Sequence, residues 1–139
     1  MASVDVPVAL LGYGTVGAAV NRLLIESADE IERATGHRLR VTRALVRDTD
    51  KERSWPVPDG VLTTDVEDIL GDPSIKVIAE VMGGVEPTGG YVLDCLRRGK
   101  NVVSMIPTRA EPIPAAYASA SSRAWPLASC CTAISAGMP

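Results

Sequence analysis

Three glycines at fixed spacing carry the strongest chemical signal in the chain: Gly12-Tyr-Gly14-Thr-Val-Gly17. In the register G-x-G-x-x-G, between an apolar run and an amphipathic segment, they suit a turn that cradles the pyrophosphate of a dinucleotide. The first glycine permits a tight turn, and the second lets the anion approach the backbone. The third allows helix and strand to pack closely. Thr15 and Val16 then offer backbone N–H groups at the positive end of a helix. The competing interpretation is a strand-to-helix turn that is only structural.

Arg47 stands at the end of the second predicted strand, where such folds read the adenosine ribose. An arginine there pairs with a 2′-phosphate, whereas an acid accepts hydrogen bonds from a 2′-hydroxyl. Its offset from Gly17 exceeds the usual ~20 residues, and a long first helix accounts for the excess. Asp48 follows at once, so NADP is the expected cofactor while NAD stays open. The plain alternative makes Arg47 a solvated loop charge. Gly83-Gly84 close the third predicted strand, either letting the cofactor pass near the backbone or forming a simple tight turn. Glu80 reads as a buried acid without a visible partner, and no catalytic role is assigned to it. His37, in a polar connection after Gly36, is expected to be exposed.

Positioning these residues requires strands alternating with helices. Val6 to Leu11 is a continuous apolar run, as in a parallel strand buried on both faces. Residues 15–34 read as one helix, with Val16, Val20, Leu23, Leu24 and Ile31 on one side and Gly36 ending it. A second strand covers Leu39 to Val46, and Trp55 to Gly60 is a loop punctuated by two prolines. Thr64 or Asp65 is expected to cap a short helix over Val66 to Leu70. A third strand spans Ile75 to Met82. A further helix runs from Glu86-Pro87 to Arg97-Arg98-Gly99, and Lys100 to Ser104 opens a fourth strand. This order predicts an α/β, Rossmann-like parallel sheet with helices on both faces, incomplete, with an irregular C-terminal tail. Residues 1–104 form the expected NAD(P)-binding domain. Residues 105–139 are rich in Ala, Ser and Pro and read as a poorly ordered or irregular tail.

Composition narrows the functional classes. A 139-residue chain with 46% hydrophobic and 22% charged residues is expected to be one soluble globular domain. The net charge of −3 argues against nucleic acid or an anionic membrane as the main partner. The N-terminus has neither a basic lead-in nor an uninterrupted apolar span, so no signal peptide or membrane segment is expected. Cys95 and the adjacent Cys130-Cys131 match neither a disulfide framework nor a C-x-x-C metal site. No metal site is expected, and a reducing cytoplasm fits best.

Several segments together resemble the N-terminal cofactor domain of homoserine dehydrogenase. They are Val8-Ala-Leu-Leu-Gly-Tyr-Gly-Thr-Val-Gly17, Leu45-Val-Arg-Asp48, Leu62-Thr-Thr-Asp65, Ile78-Ala-Glu-Val-Met-Gly-Gly-Val-Glu-Pro87 and Leu96-Arg-Arg-Gly-Lys-Asn-Val-Val103. The resemblance covers about residues 5–104. It implies an oxidoreductase that interconverts L-homoserine and L-aspartate 4-semialdehyde with NAD or NADP, a step toward threonine and methionine. Where the family runs into Thr-Ala-Asn-Lys, this sequence has Ser104-Met105-Ile106-Pro107, so proline stands at the lysine position. The family's substrate domain has no counterpart here, no catalytic residue is assigned, and the isolated chain is expected to be inactive or nearly so. The abrupt border at residue 104 is what a shifted reading frame or truncated gene would give. A non-catalytic NADP-binding or oligomerisation module is the alternative, and a homo-oligomer stays open. A reductase of the dihydrodipicolinate type fits the Met-Gly-Gly-Val-Glu-Pro segment poorly.

Overall fold

Val8 to Leu11 are apolar without interruption because β1 (Val4–Leu11) lies inside a sheet that is covered on both faces. The computed structural model describes residues 3–84, 86–105 and 132–134. After β1 come α1 (Thr15–Glu26), α2 (Ala28–Thr35), β2 (His37–Leu45), β3 (Leu62–Thr63) and α3 (Glu67–Leu70). β4 (Val77–Glu80), α4 (Thr88–Arg97), β5 (Asn101–Ser104) and β6 (Thr132–Ile134) complete the described elements. The strand order is β3-β2-β1-β4-β5-β6. The first five strands pair in parallel, and β6 runs antiparallel to β5. The expected Rossmann-like sheet is present.

Alternation along β1 divides the core. Val8 and Leu10 face the layer of α1 together with Tyr13, Ala18 and Val41. Ala9 and Leu11 face the opposite layer, where Ile69 and Leu70 of α3 and Val92 and Leu96 of α4 cover them. The period of two in the strand thus meets a helix on each side.

Three elements differ from the expected pattern. The single helix over 15–34 is broken at Ser27, which leaves helical geometry at φ −102°, ψ 14°. Its N–H closes α1 on Leu23 O (2.9 Å), and its carbonyl accepts Glu30 N–H (3.1 Å) and Ile31 N–H (3.0 Å) to start α2. Serine competes for backbone partners inside helices, while the apolar periodicity continues through the break and hides it. The pair Leu62-Thr63 adds the short strand β3, too brief for any alternation to reveal. The ladder of β4 is shorter than Ile75 to Met82, although Asn101 N–H still reaches Lys76 O (2.8 Å) and Val81 N–H reaches Leu11 O (2.9 Å). α3 starts at Glu67, with Val66 rather than Thr64 or Asp65 at its N-cap and no side-chain cap bond, while Asp65 Oδ1 accepts Glu67 N–H at 2.9 Å just before it. The expectation for the tail falls outside the described residues, apart from Met105 and the three residues of β6. Among the described residues, no helix is long and apolar enough to cross a membrane.

The amino edge of the sheet is closed by a buried cation. Lys100, 3% exposed, donates from Nζ to the carbonyl oxygens of Asp72 (2.7 Å) and Ile75 (2.8 Å). Burial lowers its pKa, since the charged ammonium has left water. Nearby, burial pushes the Cys95 thiol up to about 11 from an ordinary 9.0. The folded state therefore favours the neutral thiol, an advantage held below pH 9 and lost as pH climbs toward 11. Denaturant melts at pH 8.5 and 10.5 are expected to show the wild type losing roughly 1–2 kcal/mol more than Cys95→Ala over that interval. Identical losses in the two proteins would place the Cys95 thiol in a solvated setting.

Candidate functional site

The three glycines of the loop do three different things. Gly12 has φ +103°, and a Cβ there would lie 2.9 Å from Met82 Cγ and 3.1 Å from Met82 Cα. A Cβ on Gly17 would stand 2.5 Å from the carbonyl oxygen of Gly12, so only glycine lets α1 sit this close to β1. At Gly14 a Cβ would meet nothing within 4 Å, which leaves open space in front of the loop. Gly14 is also the N-cap of α1, with its carbonyl accepting Ala18 N–H at 2.9 Å. The N–H groups of Thr15, Val16 and Gly17 have no carbonyl one turn earlier to bind. The first turn carries no acid and the cap supplies no side-chain oxygen. Open space before an uncapped, positive helix end suits a pyrophosphate.

Tyr13, the variable residue between the first two glycines, is 3% exposed and fixes the loop from within. Its hydroxyl donates to Trp55 O (3.2 Å) and accepts from Asn21 Nδ2 (2.9 Å). Its carbonyl accepts Arg53 Nη1–H at 2.8 Å, and the Arg53 guanidinium lies 5.9 Å from its ring centroid. Arg53 Nη2–H also reaches the carbonyl of Asp48. The segment after β2 is thereby clamped onto the glycine loop. Sequence reasoning missed this clamp, because residues some 40 positions apart carry no periodic signal of contact.

Arg47 emerges past the carboxyl end of β2 and is exposed. Asp48, also exposed, caps its own loop through Oδ1, which accepts Asp50 N–H at 2.9 Å. Gly83 (φ +72°) and Gly84 (φ +82°) form an exposed turn after β4. Two groups shape that turn. Thr88 Oγ1–H donates to Gly83 O (3.2 Å), and Glu80 Oε1 accepts the N–H groups of Met82 (2.7 Å) and Gly83 (3.2 Å). Glu80 thus has partners that its sequence context could not show.

The carboxyl edge of the sheet gathers Gly12, Gly14, Thr15, Val16 and Gly17 beside Gly83 and Gly84, with Met82 touching Gly12. Arg47 flanks them on the β2 side. The strand order reverses between β1 and β4, and ligands of open α/β sheets bind at that switch point. His37 lies at the other end of the sheet, opening β2, exposed, with Nδ1 2.7 Å from Thr35 O. No group of three metal-ligating side chains occurs among the described residues. Pro107 lies outside them.

Comparison with known proteins agrees with this geometry. The model of a family described as homoserine dehydrogenase, NAD binding domain, matches residues 12–107. A homoserine dehydrogenase of Bacillus subtilis is 41% identical over 97 residues, covering 70% of this chain and 22% of that one. One from Corynebacterium glutamicum is 38% identical over 99 residues, with 71% and 22% covered. Among solved structures, a homoserine dehydrogenase from S. aureus superposes with a TM-score of 0.69 at 36% identity, covering 73% of this chain and 26% of that one. Another from Thiobacillus denitrificans gives 0.68 at 37% identity, covering 76% and 25%. The chain spans 22% of the length of these two curated relatives. With fold, glycine loop and matched residues in agreement, the chain belongs to the homoserine dehydrogenase NAD-binding-domain family, whose cofactor is a nicotinamide dinucleotide.

Proposed function

We propose that this chain is the cofactor-binding part of a homoserine dehydrogenase-type oxidoreductase, which interconverts L-homoserine and L-aspartate 4-semialdehyde with NADP in preference to NAD. The observation that carries the reading is the open space at Gly14 in front of an uncapped helix start. In this reading the backbone N–H groups of Thr15, Val16 and Gly17 hold the pyrophosphate. Gly12 and Gly17 keep the loop low enough to admit it. Gly83 and Gly84 give the rest of the cofactor passage along the backbone. The bound nicotinamide supplies or takes up the hydride. Holding the acceptor carbon against it and moving the hydroxyl proton require further groups, and no described residue is assigned to those tasks.

Preference for NADP rests on the two charges after β2. Asp48 Oδ1 accepts the N–H of Asp50, which turns that acid toward its own loop and leaves Oδ2 as its remaining acceptor for a ribose 2′-hydroxyl. Exposed Arg47 is the cation next to that position, suited to a 2′-phosphate. Titration of the chain with NADPH and NADH tests both statements. NADPH is expected to bind more tightly, and Arg47→Ala to weaken it about tenfold, or ~1.4 kcal/mol, with NADH changed less than about twofold. Equal effects on the two cofactors would defeat the NADP preference. Absence of binding by either at millimolar concentration would defeat the cofactor role itself.

A further inference from the structure

Glu80 ends β4 with its side chain sealed from solvent, at 0% exposure. A carboxylate is costly to bury and is retained only where donors surround it. Here Oε1 accepts Met82 N–H (2.7 Å) and Gly83 N–H (3.2 Å), while Oε2 accepts the Ser104 hydroxyl at 2.8 Å. These donors tie together separate parts of the carboxyl edge. Met82 lies against Gly12 and leads the chain from β4 into the turn. Gly83 needs its positive φ of +72° to turn the chain. Ser104 ends β5 directly opposite Glu80 in the ladder.

The strand order says which part of the ligand this carboxylate serves. β2, with Arg47 on the adenosine side, lies to one side of β1, and β4 and β5 lie to the other. A dinucleotide whose pyrophosphate sits at the start of α1 must extend its second nucleoside over β4 and β5. We infer that Glu80 is a positioning residue: its carboxylate holds the turn at 82–84 and the end of β5 in the shape that seats the nicotinamide half of the cofactor, without touching the cofactor. The inference rests on the cofactor reading above. An acid present only to fill the core would be poorly suited to the task, since leucine fills such space without the desolvation cost.

The test uses the 139-residue chain and two probes. NADPH carries both nucleosides, whereas adenosine 2′,5′-bisphosphate carries only the adenosine side. Glu80→Ala is expected to weaken NADPH about tenfold and the bisphosphate less than about twofold. Glu80→Gln keeps an acceptor for the turn and can donate to Ser104, so NADPH affinity is expected to stay within about threefold of wild type. Amide NMR on the wild type supplies an arm that needs no variant to fold. NADPH is expected to shift the Gly83 and Ser104 signals, and the bisphosphate to leave them in place.

Equal weakening of both probes by Glu80→Ala, or weakening of neither, overturns the positioning role. So do Gly83 and Ser104 signals that NADPH leaves unmoved. If the wild type binds the bisphosphate while those negatives hold, the cofactor reading stands and only the role of Glu80 falls. Wild type that binds neither probe overturns both.

Discussion

Replacing Gly17 with alanine is expected to destabilise the chain by about 2 kcal/mol net, the balance of two opposed terms. Alanine gains about 1 kcal/mol over glycine inside a helix. Against this, the new Cβ stands 2.5 Å from the Gly12 oxygen and 3.2 Å from its carbon. Both are backbone atoms, so no rotamer change relieves the overlap. α1 must lift away from β1, loosening Ala18, Val20 and Leu24 from Val8 and Leu10. Overpacking of this kind costs typically 1–3 kcal/mol, and backbone against backbone belongs at the upper end. The steric term wins. Thermal melts should show the midpoint falling by roughly 8 °C or more. An unchanged or higher midpoint would mean that the helix start relaxes freely, and that the third glycine of the motif is dispensable.

Gly14→Val is expected to do the opposite: leave the fold intact and abolish cofactor binding. Gly14 has extended backbone, at φ −89° and ψ −151°, and its Cβ position has no neighbour within 4 Å. Valine is a poorer N-cap than glycine, while the unfolded chain loses freedom in compensation. These effects hold the stability change within about 1 kcal/mol. The added methyls, however, fill the space assigned to the pyrophosphate. NADPH affinity is expected to fall at least a hundredfold, or about 2.7 kcal/mol, in a direct titration. Retained affinity would remove Gly14 and the open cradle from the site. Glycines three residues apart in one motif thus separate a packing requirement from a binding requirement.

Legibility of the fold followed the length scale of the cause. β1, the glycine loop and the start of α1 were legible because an apolar run, a fixed spacing and a helical period are all local. Gly36, at φ +74°, ends α2 as a helix-terminating glycine should. The break at Ser27 was hidden because the apolar period runs through it. β3 was hidden because two residues cannot alternate. Of the residues proposed for the site, the glycines and Arg47 stand out by type and position. Glu80 was visible as an acid in an apolar strand, but its donors lie on a turn and on the next strand, and only parallel pairing of β4 with β5 brings Ser104 to it. The distinction between Gly14 and Gly17 was likewise beyond the sequence. Identical residues in one motif differ there only in what their missing side chains would strike.

The buried Tyr13 bears on how far this loop could be transplanted. A glycine-rich segment is often imagined as a portable cassette, movable between sheets of the same topology. Here the middle residue is committed through its ring, hydroxyl and carbonyl to Asn21, Arg53 and Trp55. Grafting residues 12–17 alone would strand a phenol and a carbonyl in the recipient and take from Asn21 Nδ2 and Arg53 Nη1 their Tyr13 acceptors in the donor. The smallest transferable unit is therefore discontinuous: the loop, the first half of α1 and the segment from Arg47 to Trp55 move together or lose their shape apart.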